Sequence, residues 1–200
     1  VTWIEAIEPE NAEGKLADLY QRVRNADGGV DNILQAHSLR PSTLEGHMAL
    51  YKAVLHHPAN QLPAWFREAL GVFVSQLNKC QYCVDHHAAG MRRLIADEQR
   101  ADATMEALQS GNWGDVFKAS QRAALAYARV LTRDPGSIDP LEVEDLRAAG
   151  WNDGEILEIN QVVAYFAYAN RMVLGLGVEA DGETLGLAPV AGDEDDWRHA

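Results

Sequence analysis

"REALGVFVSQLNKCQYCVDHH", residues 67–87, holds both cysteines of this 200-residue chain and two of its seven histidines. Its second half, "NKCQYCVDHH" (78–87), places the cysteines three residues apart with the histidine pair just behind. Four readings compete for such a cluster: a structural disulfide, a zinc site, a redox dithiol, or small buried residues grouped by chance. Asn78, followed three residues later by Gln81, reads as an N-cap with its capping-box partner, which predicts a helix over about 79–96. On a helical wheel at about 100° per residue, Cys80, Cys83, Val84, His87, Met91 and Leu94 share one stripe, and His86 is turned about 100° away.

That spacing has chemical content. A cysteine in the first turn sits near unpaired N–H groups and the positive end of the helix dipole, which favours thiolate over thiol. A thiolate attacks a peroxide or disulfide, and a second thiol one turn along is placed to resolve a sulfenic acid as an intrahelical disulfide. His87, one turn after Cys83, is placed to exchange a proton with that sulfur. Zinc needs four ligands, or three and a water. Cys80, Cys83 and His87 supply three, but there is no second cysteine pair, and His37, His47, His56, His57 and His199 show no ligand spacing. No metal or other cofactor is expected.

Composition narrows the classes. Hydrophobic residues at 47% and charged residues at 24% are ordinary for a soluble globular chain long enough to bury one core. A formal net charge of −13 argues against a nucleic-acid or anionic-membrane partner, since both need clustered Lys and Arg. No run approaches the roughly 20 apolar residues of a membrane span, and "VTWIEAIEPE" (1–10) has neither the basic nor the apolar region of a signal peptide. A cytoplasmic location is the expectation. There a short-range cysteine pair is more often redox-active or metal-binding than a permanent staple.

The rest of the chain reads as helical. Residues 9–23 follow a proline with helical apolar spacing, and 41–57 place Leu44, Met48, Tyr51 and Leu55 on one face. A helix over 63–78 starts with Pro63 in its first turn, and another over 120–135 stops at Pro135. Capping boxes are expected at Asp139 with Glu142 and at Asn152 with Glu155, the latter opening a long last helix that fades at Gly175 and Gly177. No run alternates with period two, so the predicted fold class is all-α: one compact helical domain over 1–181 with an acidic, mobile tail over 182–200. On the helix over 63–78, Phe66, Leu70, Phe73, Val74 and Leu77 form the apolar stripe. Glu68 lies opposite, where periodicity alone predicts solvent.

Glu68, eleven residues, Cys80, two residues, Cys83, three residues, His87: this pattern resembles the signature of the alkylhydroperoxidase D group, within the carboxymuconolactone decarboxylase-like superfamily. "VDNILQAHSLRP" (30–41), "DLRAAGWNDGEILEI" (145–159) and "FAYANRMVLGLGVEAD" (166–181) are similar to its peroxidase-related branch. The resemblance implies an all-α fold assembled into homo-oligomers (dimer, trimer or hexamer) that reduce a hydroperoxide with electrons from a thiol donor. It implies Cys83 as the attacking thiol, Cys80 as the resolving one, and Glu68 with His87 as a proton relay. The wheel instead favours Cys80 as the more acidic thiol. The relay is preferred here, since a base in contact outweighs a dipole effect of roughly 0.3–1 kcal/mol. One position departs from the group: a second relay histidine before the second cysteine is replaced by Tyr82, a poor base at neutral pH. His86 is the secondary candidate to compensate. Asn170, in the last similar segment, is expected to be structural or at an interface.

Two other functions are compatible with the sequence. A redox sensor or interaction module would use the dithiol as a conformational switch. Lactone or decarboxylase chemistry, which gives the superfamily its name, is not expected to need a cysteine pair.

Overall fold

Helix α1 (Gly14–Val23) buries Leu16, Leu19, Tyr20 and Val23, an i, i+3, i+4, i+7 stripe that turns one face to the core. The helix predicted from residue 9 is interrupted: Pro9–Asn11 form a separate single 3-10 turn. These elements belong to a computed structural model that describes residues 2–25, 27–189, 197 and 198. A short α2 (Asn32–Gln35) precedes α3 (Pro41–Tyr51), whose Leu44, Met48 and Tyr51 are buried as predicted. The chain then widens into a π-helical turn, Lys52–His56, which keeps Leu55 in the core. Five further α-helices follow α4 (Ala64–Leu77): α5 (Gln81–Ile95), α6 (Glu98–Ser110), α7 (Ala119–Arg133), α8 (Pro140–Ala148) and α9 (Asp153–Leu176). Among the described residues there is no strand, so the architecture is all-α. None of their helices is long and apolar enough to cross a membrane.

Helix α4 is the axis of the fold. It packs against α5, α6, α7 and α9, and every residue from Phe66 to Ser75 is buried. A helix wrapped on all sides hides polar positions as well as apolar ones, and here it hides Glu68. That overturns the solvent-facing prediction. Periodicity identifies the apolar stripe but is blind to what covers the opposite face, where Gly71 meets Phe166 and Ser75 meets Asn170 of α9 and where α5 brings His87 to Glu68.

One close approach sets this arrangement. A Cβ at Gly71 would lie 2.2 Å from ring carbons of Phe166, so only glycine lets α9 bring that ring against α4. Phe166 in turn packs edge-on against the His87 ring, with centroids 4.5 Å apart. The small residue on α4 thereby helps to fix a side chain on α5.

Both capping boxes form as predicted, Asp139 with Glu142 at α8 and Asn152 with Glu155 at α9. The α9 helix ends at Gly177 in a left-handed cap (φ +63°). Helix α6 lies in a stretch to which the sequence reading assigns nothing, although Asp97 accepts from the Arg100 N–H as its N-cap.

Candidate active site

The turn from α4 into α5 departs from the predicted cap. Asn78 does not start the second helix; it ends the first, with its backbone N–H bonded to the Val74 carbonyl. Lys79 adopts a left-handed conformation (φ +59°), which breaks the helical path, and α5 begins only at Gln81, with Cys80 as its N-cap residue. Cys83 is therefore the third residue of the helix. Its N–H lies among those without an intrahelical acceptor, at the positive end of the dipole. The turn is held by Asn170 of α9, fully buried, which accepts from the Asn78 amide (2.9 Å) and donates to Ser75 Oγ (3.0 Å).

The two thiols are free, buried and hydrogen-bonded to each other, with their sulfurs 2.8 Å apart. That bond, opposed by burial and helped by the Cys83 backbone N–H, holds the Cys80 thiol below its ordinary value. The same bond, joined by burial, pushes Cys83 well above its own, while a hydrogen bond from Asn170 works to lower it. In chemical terms the pair shares a proton: the first ionisation is eased and the second opposed. Acidity thus favours Cys80, as the wheel predicts. Access favours Cys83, which lines a cavity of about 460 Å³, whereas Cys80 lies behind it among Ala36, Val173 and Val178.

One turn beyond Cys83, His87 Nδ1 lies 2.6 Å from Glu68 Oε2. Burial opposes the Glu68 charge, but the neighbouring His87, then His56 and Arg67, outweigh it and hold the carboxyl below its ordinary value. His56 Nε2 stands 3.9 Å from the other carboxylate oxygen. Glu68 is thus a carboxylate kept ionised in a dry place, and as the partner of Nδ1 it fixes the orientation and tautomer of the His87 imidazole. Glu68, Cys83 and His87 all line the same cavity.

Tyr82 and His86 form a second group on the same cavity wall. The Tyr82 hydroxyl accepts from the Ile33 N–H (3.3 Å) and donates to Glu183 Oε1 (3.1 Å). Burial, then the nearby Glu183 charge, raises its pKa well above the ordinary value, so it stays a neutral donor. His86, which the wheel turns away from the thiol stripe, stacks against Tyr82 with ring centroids 4.5 Å apart and bonds through Nε2 to Glu183 Oε2 at 3.0 Å. Sequence reasoning does not find Glu183 at all. It belongs to a stretch without periodicity, and no local signal marks one acidic residue there. Asn170 is noticed in the sequence but not placed against the thiols. Among the described residues no group of three His, Cys, Asp or Glu side chains is arranged to hold a metal ion.

The family model of the carboxymuconolactone decarboxylase family matches residues 41–130, which span α3 to most of α7. A peroxidase-related protein from a Silicibacter species is 31% identical; the match covers 78% of this chain and 81% of that one, with a TM-score of 0.68. A peroxidase-related protein from Ralstonia eutropha, described as an alkylhydroperoxidase AhpD core, shares the fold at 22% identity over 91% and 93% of the two chains (TM-score 0.78). The debrominase Bmp8, in a variant complexed with 2,3,4-tribromopyrrole, shares it at 17% identity over 91% and 95% (TM-score 0.70). The motif, the fold and the Silicibacter relative agree, and the chain belongs to the carboxymuconolactone decarboxylase family, among its alkylhydroperoxidase-like, peroxidase-related members.

Proposed function

We propose that the protein is a thiol-dependent, peroxidase-type dithiol oxidoreductase that reduces hydroperoxides. The observation that carries this reading is the pair of sulfurs 2.8 Å apart beside a cavity that also receives the His87–Glu68 dyad. Cys83 is the attacking sulfur, because it is the one that faces the cavity. His87, oriented by Glu68, accepts the proton that leaves the pair. The thiolate attacks the outer peroxide oxygen; the S–O bond forms, the O–O bond breaks, and the alcohol leaves with a proton. Cys80 then attacks the sulfenic sulfur, releasing water and closing a disulfide that an external thiol donor reduces. The sulfurs need to approach by less than about 1 Å to reach disulfide distance.

A second reading is favoured by the cavity itself, which exceeds the needs of a hydroperoxide group and is walled in part by Tyr51 and Tyr165. A dithiol carries two electrons, enough to convert an aryl bromide and two thiols into the arene, hydrogen bromide and a disulfide. The fold shared with Bmp8 makes a halogenated aromatic worth testing beside the hydroperoxides. Exposed Tyr168 and Leu174 on α9 support the homo-oligomer expected from the sequence. Light scattering of the purified protein measures that state directly.

The test is turnover of an organic hydroperoxide with a dithiol donor by the wild type and by Cys83→Ser. Consumption that vanishes in the variant supports the reading; consumption that survives it ends the role of Cys83.

A further inference from the structure

The cavity over Cys83 is closed on one side by a segment that belongs to no helix, residues 183–189. Leu187, Ala188 and Pro189 form part of its wall. Two devices seat the segment. The first is Glu183, whose side chain is only 6% exposed and which accepts from the Asn32 backbone N–H at the start of α2, from Tyr82 Oη and from His86 Nε2. Thr184 adds a bond to Asp27 (2.8 Å). The second is a backbone contact. Gly186 is left-handed (φ +79°), and a Cβ there would lie 2.7–2.8 Å from Ala89 and from the Gly90 nitrogen. Gly90 is buried under that contact, and a Cβ at Gly90 would meet Glu68 Oε2 at 3.5 Å. The segment therefore rests on α5 directly above the relay carboxylate, and its anchor is built from two residues of the helix that carries the thiols.

We propose that residues 183–189 are a specificity-determining strap that filters the size of molecules reaching Cys83, with Glu183 as the residue that positions it. This rests on the reading of Cys83 as the cavity's reactive sulfur. It assigns Tyr82 and His86 to holding the strap rather than to the proton relay. Loss of the Glu183 anchor frees the wall formed by Leu187 to Pro189 and opens the cavity to larger reagents, without altering the thiols or the His87–Glu68 pair.

The test reads access without turnover. Alkylation of Cys83 in the wild type, Glu183→Ala, Glu183→Gln and Gly186→Ala is followed by mass mapping, with iodoacetamide as the small reagent and pyrenyl maleimide as the bulky one. The ratio of bulky to small rates should rise about tenfold or more in Glu183→Ala and Gly186→Ala, the order of discrimination a shaped apolar wall provides. Glu183→Gln, which keeps the shape and part of the hydrogen bonding, should fall between. Circular dichroism confirms that the helices persist in each variant. A ratio within about twofold of wild type in both Glu183→Ala and Gly186→Ala overturns the proposal. Since no peroxide is used, a wild type that turns over no hydroperoxide ends the peroxidase reading while leaving the filter to be judged on these ratios.

Discussion

Glu68 Oε2 and His87 Nδ1 stand 2.6 Å apart in the dry seam between α4 and α5, nineteen residues apart in sequence. The carboxylate is buried, and its charge is supported by His87 first and by His56 and Arg67 beyond.

This pair predicts a pH dependence of stability. The folded pKa of Glu68 lies below the ordinary 4.5. Its contribution is therefore fully present above that value and is lost as pH falls through the depressed folded pKa. Urea unfolding of the wild type should show stability falling on acidification below the ordinary 4.5. In Glu68→Gln the fall should be shallower. An identical pH profile for the two proteins would remove Glu68 as a source of the effect. Glu68→Ala, which leaves His87 Nδ1 without its buried hydrogen-bond partner, should cost about 1–3 kcal/mol at neutral pH.

Glu68→Gln should also lower turnover by about 10²–10⁴, the usual worth of a positioned acid–base group. The accompanying signature is in the proton chemistry: the acid limb of the pH–rate profile should move while iodoacetamide access to Cys83 stays. Turnover retained within about threefold would mean that water, not the dyad, takes the proton.

At Gly71 the structure predicts a steric cost. The new methyl of Gly71→Ala would collide with Phe166, deep in the contact between α4 and α9. The expected destabilisation is about 1–3 kcal/mol, typical of overpacking. Because Phe166 also supports the His87 ring, turnover should fall with stability. Thermal unfolding measures the first effect, and an unshifted midpoint would show that α9 moves aside without cost.

Asn170 bridges Asn78 and Ser75, and its hydrogen bond to Cys83 works against the rise that Cys80 and burial impose on that thiol. Asn170→Ala should leave buried polar partners unsatisfied, at about 1–3 kcal/mol. It should also move the pH midpoint of Cys83 alkylation upward. A midpoint that stays put or falls would show that Asn170 holds the turn alone.

Much of this was legible in the chain. The capped starts of α8 and α9 and the apolar stripes of α1 and α3 follow from local chemistry, which travels with the sequence. The candidate site is legible only where its spacing is local: Cys80, Cys83 and His87 lie within two turns. Glu68 was legible only through resemblance, because its burial depends on a neighbouring helix that periodicity cannot see. The start of α5 differs from the local signal for a similar reason. Asn78 has good N-cap chemistry, but the left-handed turn at Lys79 and the bond to Asn170 on α9 make it the end of α4 instead. Glu183 was invisible, since its meaning comes wholly from Tyr82 and His86, about a hundred residues earlier.

The central claim, that Cys83 attacks and Cys80 resolves, is tested most directly by intact-mass analysis after a single equivalent of an organic hydroperoxide. The account predicts that wild type loses the mass of two hydrogens as the Cys80–Cys83 disulfide closes, that Cys80→Ser gains one oxygen at Cys83, and that Cys83→Ser is unchanged. Oxygen gained at Cys80 in Cys83→Ser, with Cys80→Ser inert, would contradict it.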